Sequence, residues 1–382
     1  MTQVEVAGDR ILLSPPDVGS REEELVRASV RSGWVAPLGP MVDAFEEALA
    51  VRCGRRHAVA LSSGTAALHL ALLVAGARRG TVVLVPTLTF AATANAVAYT
   101  GAEPVFVDCE AESGNIDPVL LRHALAELRA EGTHVAAVVP VDLMGRCADY
   151  TRLLPVCRQF GVPVVSDAAE SLGARHAGRP AGSFGDIAAL SFNGNKVITT
   201  SGGGALLTDD EAAAERVRYL STQARQPVVH YEHTEIGYNY RLSNVLAALG
   251  IAQLERLDEM IARRRALRAA YAELFAGRPG VRVFQRPGDD EDNCWLTSVR
   301  VDAHRAGWGT SDLADVLGRA GIETRPMWKP MHQQPVFGAA RSFLTGRADE
   351  LAATSLALPS GSALSREQFA RIAAVIEAFL DT

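Results

Sequence analysis

A lysine stands in the loop Ser191-Phe192-Asn193-Gly194-Asn195-Lys196, between two apolar runs that read as strands, 186–192 (DIAALSF) and 204–208 (GALLT). Burial there disfavours an ammonium and favours the free amine, the form that condenses with a carbonyl to a Schiff base. A loop lysine whose charge reaches water along its stem has the same spacing. A second group is the turn Ser62-Ser63-Gly64-Thr65, which leads into an alanine- and leucine-rich helix. Backbone N–H groups at such a helix start can hold an anion, with the helix dipole in support; for this turn alone, a plain Ser/Thr cap explains the residues. A third is Asp167 with Glu170, at the end of a valine-rich run (162–166). A carboxylate there needs a partner. Asp167 could cap the following segment, or a cationic ring nitrogen of a cofactor could satisfy it and stay protonated in return.

The elements that must position these groups alternate. Strands at 58–61, 82–85, 103–107, 135–141, 162–166 and 186–192 are interleaved with helices at 66–77, 91–99, 118–131 and 150–160. Such alternation predicts a mostly parallel sheet with helices on both faces, and ligands at the carboxyl ends of its strands. Phe90, like the groups above, falls at or near such an end. Two helices (21–31 and 41–51) flank a constrained loop, Gly33-Trp34-Val35-Ala36-Pro37-Leu38-Gly39-Pro40, whose Trp34 could plug the core or line a substrate pocket. The second half reads as a helix at 209–220, a polar segment (223–235), a long helix at 245–275, loop and short strand at 277–288, a strand at 294–301, a helix at 311–320 and a last helix at 365–380. The expected organisation is a large mixed, mostly parallel sheet domain over 1–250 and a smaller α+β domain over 251–382.

Composition bounds the partners. A net charge of −6 over 382 residues argues against a nucleic-acid or anionic-membrane surface. Five cysteines without a CxxC pair favour buried thiols in a reducing compartment, so the protein is read as cytoplasmic. Residues 1–10 lack the apolar core of a signal peptide, and the longest apolar helical stretch (66–77) is too short to span a bilayer. No His or Cys pair has zinc-ligand spacing, so no metal is expected.

An amine nucleophile, an anion cradle and a carboxylate for a pyridinium are the parts of a pyridoxal phosphate site. In the order SSGT–TF–DAAES–SFNGNK–GYNYR they resemble the DegT/DnrJ/EryC1/StrS family of nucleotide-sugar aminotransferases, from Ser14 to the last helix. The resemblance implies fold type I, like aspartate aminotransferase. It implies that Lys196 forms the Schiff base with the cofactor and moves protons during transamination. Asp167 matches the carboxylate on the pyridine nitrogen, Glu170 the residue beside the phenolic oxygen, and Phe90 the aromatic stacked on the ring. Gly64, Thr65 and Ser191 match phosphate contacts, and Ser63 and Asn193 belong to the same cofactor-binding segments. Asn239 and Arg241 match a loop that enters the neighbouring subunit's site, implying a homodimer with shared active sites. For the sugar or its diphosphate, the candidates are Arg325, His332, Trp34 and Trp328, because guanidinium suits phosphate and aromatic faces pack on sugars. Arg325 could instead pair with a helix carboxylate, and His332 could be a surface loop residue.

Lys196 disfavours the family's dehydrating branch, which carries histidine there. DAAES with SFNGNK resembles members that aminate C4 of a 4-keto-6-deoxy sugar, with L-glutamate as the usual donor. The segments 36–40 (APLGP), 237–248 (GYNYRLSNVLAA) and 325–332 (RPMWKPMH) resemble enzymes acting on UDP-2-acetamido-4-keto-2,4,6-trideoxyhexose. A GDP-linked acceptor or amination at C3 are the alternatives within the family. Residues 199–204 (TTSGGG) depart from the commoner TTGEGG, a loss shared by the bacillosamine- and perosamine-type members. A catalytically idle regulatory relative would be marked by loss of Lys196 or Asp167; both are present.

Overall fold

The computed structural model describes residues 10–284 and 291–381. The opening residues 1–9, and the part of the expected 277–288 loop beyond 284, lie outside the described residues.

The chain forms β1 (His57–Leu61), β2 (Val82–Pro86), β3 (Glu103–Val107), β4 (Val135–Val138) and β5 (Val165–Asp167). A small hairpin, β6 (Arg175–His176) and β7 (Arg179–Pro180), precedes β8 (Ile187–Ser191) and β9 (Gly204–Thr208). The later strands are β10 (Val281–Val283), β11 (Thr297–Val301), β12 (Arg325–Pro326), β13 (Ser342–Phe343) and β14 (Ser355–Leu358). One sheet runs β1-β9-β8-β5 and continues, through the parallel bridges Val138–Val164 and Val141–Asp167, into β4-β2-β3-β13. Only β9 opposes its neighbours in this sheet; the other pairings are parallel. This is the expected mixed, mostly parallel sheet.

Helices cover both faces because side chains alternate along each strand. Val59 and Leu61 pack with Leu68, Leu72 and Val217 on one side. Ala58 and Ala60 pack with Val42, Phe45 and Leu49 on the other. Phe45 is fully buried and meets Phe192 edge-on, with centroids 5.2 Å apart. Truncating a ring so buried costs about 3–5 kcal/mol, and this contact holds the start of the lysine loop against the core.

A second, antiparallel sheet has the order β10-β11-β14-β12 and shares a core with the last helix, Arg366–Leu380, through Ile372 and Ile376. Ile11 pairs in parallel with Ile322 beside this sheet, and the Ser360 N–H donates to the Leu13 carbonyl. The β13 strand crosses back to pair with β3 of the large sheet.

Several expected elements differ in detail. The long 245–275 helix is two, Asn244–Glu255 and Leu257–Leu274. Arg256 between them leaves helical geometry (φ −101°, ψ 1°), and its guanidinium is held by Asp17 and Glu22. The ladder expected over 135–141 ends at Val138, and Val141 makes only the bridge to Asp167. Pro163 precedes β5, where its missing N–H breaks no ladder bond and its carbonyl accepts from Val138. The helix Arg347–Thr354 and the strand β14 were not expected at all.

Candidate active site

β1 and β8 end level with each other on the two sides of β9, both paired to its first residue, in the registers Leu61–Gly204 and Ser191–Gly204. The helix Gly64–Val74 starts directly above them, capped by the Ser63 hydroxyl, which accepts from the Ala66 N–H at 3.0 Å. Ser63 therefore serves the helix through its side chain, while the first N–H groups, of Gly64 and Thr65, have no partner within the helix. Three backbones converge at this point. A Cβ on Gly64 would lie 2.8 Å from Ser191 Cβ, and one on Gly204 would lie 2.5 Å from Gly64 N. Only glycine permits that approach, and it leaves a backbone cradle beside the Ser191 hydroxyl, at a helix start suited to an anion.

Asp167, the last residue of β5, is 4% exposed. Its Oδ2 accepts from the Thr93 hydroxyl at 2.8 Å and its Oδ1 from the Ala169 N–H at 3.2 Å. Burial pushes its carboxyl above the ordinary value, against the pull of Thr93, Ala169 and nearby Lys196. Glu170 Oε2 accepts from the Met144 N–H at 2.7 Å, while Oε1 lies 3.5 Å from Lys196 Nζ. Burial raises Glu170 to about 7, opposed by Lys196 and the Met144 N–H. A cationic group from outside the chain would relieve both carboxylates.

Lys196 is partly buried, and its Nζ lies 3.8 Å from the centroid of the Trp295 ring. Trp295 stacks on Trp328 at 6.1 Å, and Trp328 meets Phe90 edge-on at 6.5 Å. Phe90 remains 56% exposed, an aromatic face open to the cleft. The cleft has a volume of about 950 Å³ and is walled on one side by the N-terminal stretch from Leu12 to Pro16. A cavity of this size can hold a cofactor together with a substrate.

Of the residues singled out from sequence, Ser63, Gly64, Thr65, Phe90, Asp167, Glu170, Ser191, Asn193, Lys196, Arg325 and Trp328 line this cleft. Four lie elsewhere in the chain. Trp34 is half-exposed, in a loop whose backbone carbonyl accepts from Asn244. Asn239 pairs with Thr222 through the backbone. Arg241 is turned inward onto Glu46 at 2.9 Å, a carboxylate that also accepts from Arg218 and the Ala60 N–H. The His332 ring sits between the Thr87 hydroxyl at 2.6 Å and Asp349 at 3.2 Å.

Sequence reasoning missed Thr93 and Trp295. Thr93 lies one turn into the helix after Phe90, where no local signal separates it from other threonines. Trp295 approaches from about 100 residues downstream of the lysine loop, and its indole N–H donates to the Asn195 carbonyl at 2.6 Å. Asn293 fixes it further: its Oδ1 accepts from the Trp295 N–H and its Nδ2 donates to the Glu170 carbonyl.

A model of the DegT/DnrJ/EryC1/StrS aminotransferase family matches residues 16–377. EpsN of Bacillus subtilis (strain 168), named as a pyridoxal phosphate-dependent aminotransferase, is 44% identical over 371 residues, 96% of this chain and 95% of EpsN. GDP-perosamine synthase of Caulobacter vibrioides is 36% identical over 378 residues, 97% of this chain and 98% of the synthase. Among solved structures, a DegT DnrJ EryC1 StrS aminotransferase from Brucella abortus superposes with a TM-score of 0.87 at 30% identity, covering 95% of this chain and 96% of that one.

Proposed function

Given that the chain belongs to the DegT/DnrJ/EryC1/StrS aminotransferase family, and so is a pyridoxal phosphate-dependent aminotransferase of fold type I, we propose that it transfers the amino group of L-glutamate to C4 of a nucleotide-linked 4-keto-6-deoxy sugar. The acceptor is UDP-2-acetamido-4-keto-2,4,6-trideoxyhexose, and the products are the 4-amino sugar and 2-oxoglutarate. One observation carries the reading: the Lys196 amine lies 3.5 Å from Glu170, in one cleft with buried Asp167 and the Gly64–Thr65 helix start.

Bound pyridoxal phosphate supplies a cationic ring that takes up the electrons left when a proton departs from an amino-bearing carbon. The Gly64 and Thr65 N–H groups, the Ser191 hydroxyl and Asn193 would hold its phosphate. Asp167, fixed by Thr93 and Ala169, would keep its ring nitrogen protonated. Glu170 would face its phenolic oxygen, and Phe90 would cover the ring. Lys196 Nζ takes a proton from the donor's α-carbon in the first half of the cycle and delivers one to sugar C4 in the second. Trp295, Trp328 and residues 12–16 keep water from that amine on one side.

Arg325 and Trp328 contact the acceptor from within the cleft. Asn239, Trp34 and His332 would reach a substrate only from outside their own chain's cleft, and we place the Asn239 loop at the partner's site in a homodimer, with Arg241, held inward by Glu46, anchoring the root of that loop. Exposed Val229, Tyr231 and Ile236, just before the Asn239 loop, support a covering subunit there. The five cysteines, all buried and none in a disulfide, support a cytoplasmic setting.

The UDP acceptor is supported by the segments at 36–40, 237–248 and 325–332. A GDP-linked 4-keto-6-deoxy sugar is the second reading, supported by the similarity to a GDP-perosamine synthase. Treating the cofactor-loaded enzyme with L-glutamate should bleach the visible band of the lysine-bound cofactor, and adding the UDP-linked 2-acetamido ketosugar should restore it. Restoration only by a GDP-linked ketosugar replaces the first reading with the second. No response to glutamate removes both.

A further inference from the structure

Of the 38 lysines and arginines in the chain, only Lys196 and Lys329 are lysines. Everywhere else the chain meets its need for a cation with arginine, in ion pairs such as Arg256–Asp17 and Arg146–Asp292. The cleft takes up a small part of the chain, yet both lysines line it. Lys196 has a role that needs a primary amine; Lys329 has had none until now.

Three cationic side chains line the cleft: Lys196, Arg325 and Lys329. Lys196 lies against Glu170, and Arg325 donates to Glu323 at 2.6 Å. Lys329 is exposed, and among the described residues no carboxylate lies within ion-pair distance of it. Its backbone is nonetheless pinned. The Met327 N–H donates to Ser355 in the small sheet, the Met331 N–H donates to Thr87 at the end of β2, and the Gln334 amide donates to the Lys329 carbonyl at 3.2 Å. The chain thus holds an unpaired ammonium on a fixed stem at the mouth of the cleft, in a protein of net charge −6. An ammonium is a compact point charge suited to phosphate oxygens.

We propose that Lys329 anchors the diphosphate of the sugar nucleotide and thereby selects the acceptor. This rests on the reading of the cleft as a sugar-nucleotide aminotransferase site. Geometry favours diphosphate over the donor's carboxylate. The α-carboxylate of glutamate is bonded directly to the reacting carbon and belongs beside Lys196, at the partly buried base. The diphosphate is attached at sugar C1, across the ring from C4, and therefore lies toward the exposed mouth, where Lys329 stands.

The test uses the cofactor-loaded enzyme and three variants, Lys329→Met, Lys329→Gln and Lys329→Arg. Calorimetry measures binding of UDP, GDP, uridine and guanosine, and single-turnover absorbance measures the glutamate half-reaction. The expected result for Lys329→Met and Lys329→Gln is about 10-fold weaker binding of whichever diphosphate the wild type prefers. Affinity for the matching nucleoside and the glutamate half-reaction stay unchanged, and Lys329→Arg recovers most of the loss. The salt dependence of diphosphate binding also becomes shallower in the uncharged variants. Unchanged diphosphate binding in Lys329→Met overturns the proposal, as does a loss confined to glutamate or an equal loss for nucleoside and diphosphate. A wild type that reacts with glutamate but binds neither diphosphate refutes the underlying sugar-nucleotide reading instead, and a preference for GDP changes only the nucleotide.

Discussion

Replacing Glu170 with glutamine tests the electrostatics of the site directly. In the folded, cofactor-free protein, burial raises the Glu170 carboxyl from the usual 4.5 to about 7, even with Lys196 and the Met144 N–H favouring its charge. An acid with a raised folded value binds its proton more tightly folded than unfolded. Its ionisation therefore costs nothing below pH 4.5, costs progressively more between 4.5 and about 7, and costs the full amount above that. The shift corresponds to about 3 kcal/mol. Glutamine has the same shape and does not titrate. Its amide oxygen can accept from Met144, which turns the amide nitrogen toward Lys196 and returns part of the gain. The pH-dependent difference between the proteins therefore carries the test. For a chain of 382 residues, 3 kcal/mol corresponds to about 4 °C in melting temperature. Melting curves of the cofactor-free proteins should agree near pH 4.5 and separate by about that amount at pH 8, with Glu170→Gln the more stable. Melting temperatures that run parallel across this range would show that Glu170 titrates like an exposed carboxylate and would refute the reasoning.

Other substitutions separate the parts of the site. Lys196→Ala should lose both half-reactions and the lysine-bound visible band, while the far-UV circular dichroism of the protein stays unchanged. Gly64→Ala puts a Cβ 2.8 Å from Ser191 Cβ and should weaken pyridoxal phosphate binding by at least about 10-fold in a fluorescence titration. Trp295→Leu removes the ring under the Lys196 amine and the N–H on the Asn195 carbonyl. It should slow the glutamate half-reaction by roughly 10- to 30-fold, about 2 kcal/mol, with glutamate affinity kept; Trp295→Phe, which retains a ring face, should recover part of that rate.

The local elements of the large sheet were legible because each is written in a short window. The VVLVP run, the Ser63 cap and the glycine beside it, and the polar residue closing each apolar strand follow from side-chain periodicity and backbone chemistry a few residues wide. The helices 91–99 and 150–160 were read with the bounds they have. The break at Arg256 was not legible, because its cause is long-range: Asp17 and Glu22 hold the guanidinium from the other end of the chain, while the apolar pattern runs on unbroken.

The sequence by itself determined which chemical groups the site contains, since an amine, two carboxylates and a glycine-relieved helix start are fixed by residue type. Only the tertiary structure decided their surroundings. Folding brought Trp295 over Lys196, put Thr93 on Asp167, turned Arg241 onto Glu46 and His332 onto Thr87, and left Lys329 in the cleft with no carboxylate among the described residues within ion-pair distance. Each of these depends on segments distant in sequence meeting in space. Whether a polar side chain faces a partner, solvent or a ligand is set by that meeting, because local periodicity fixes the face a residue takes but not what lies opposite it.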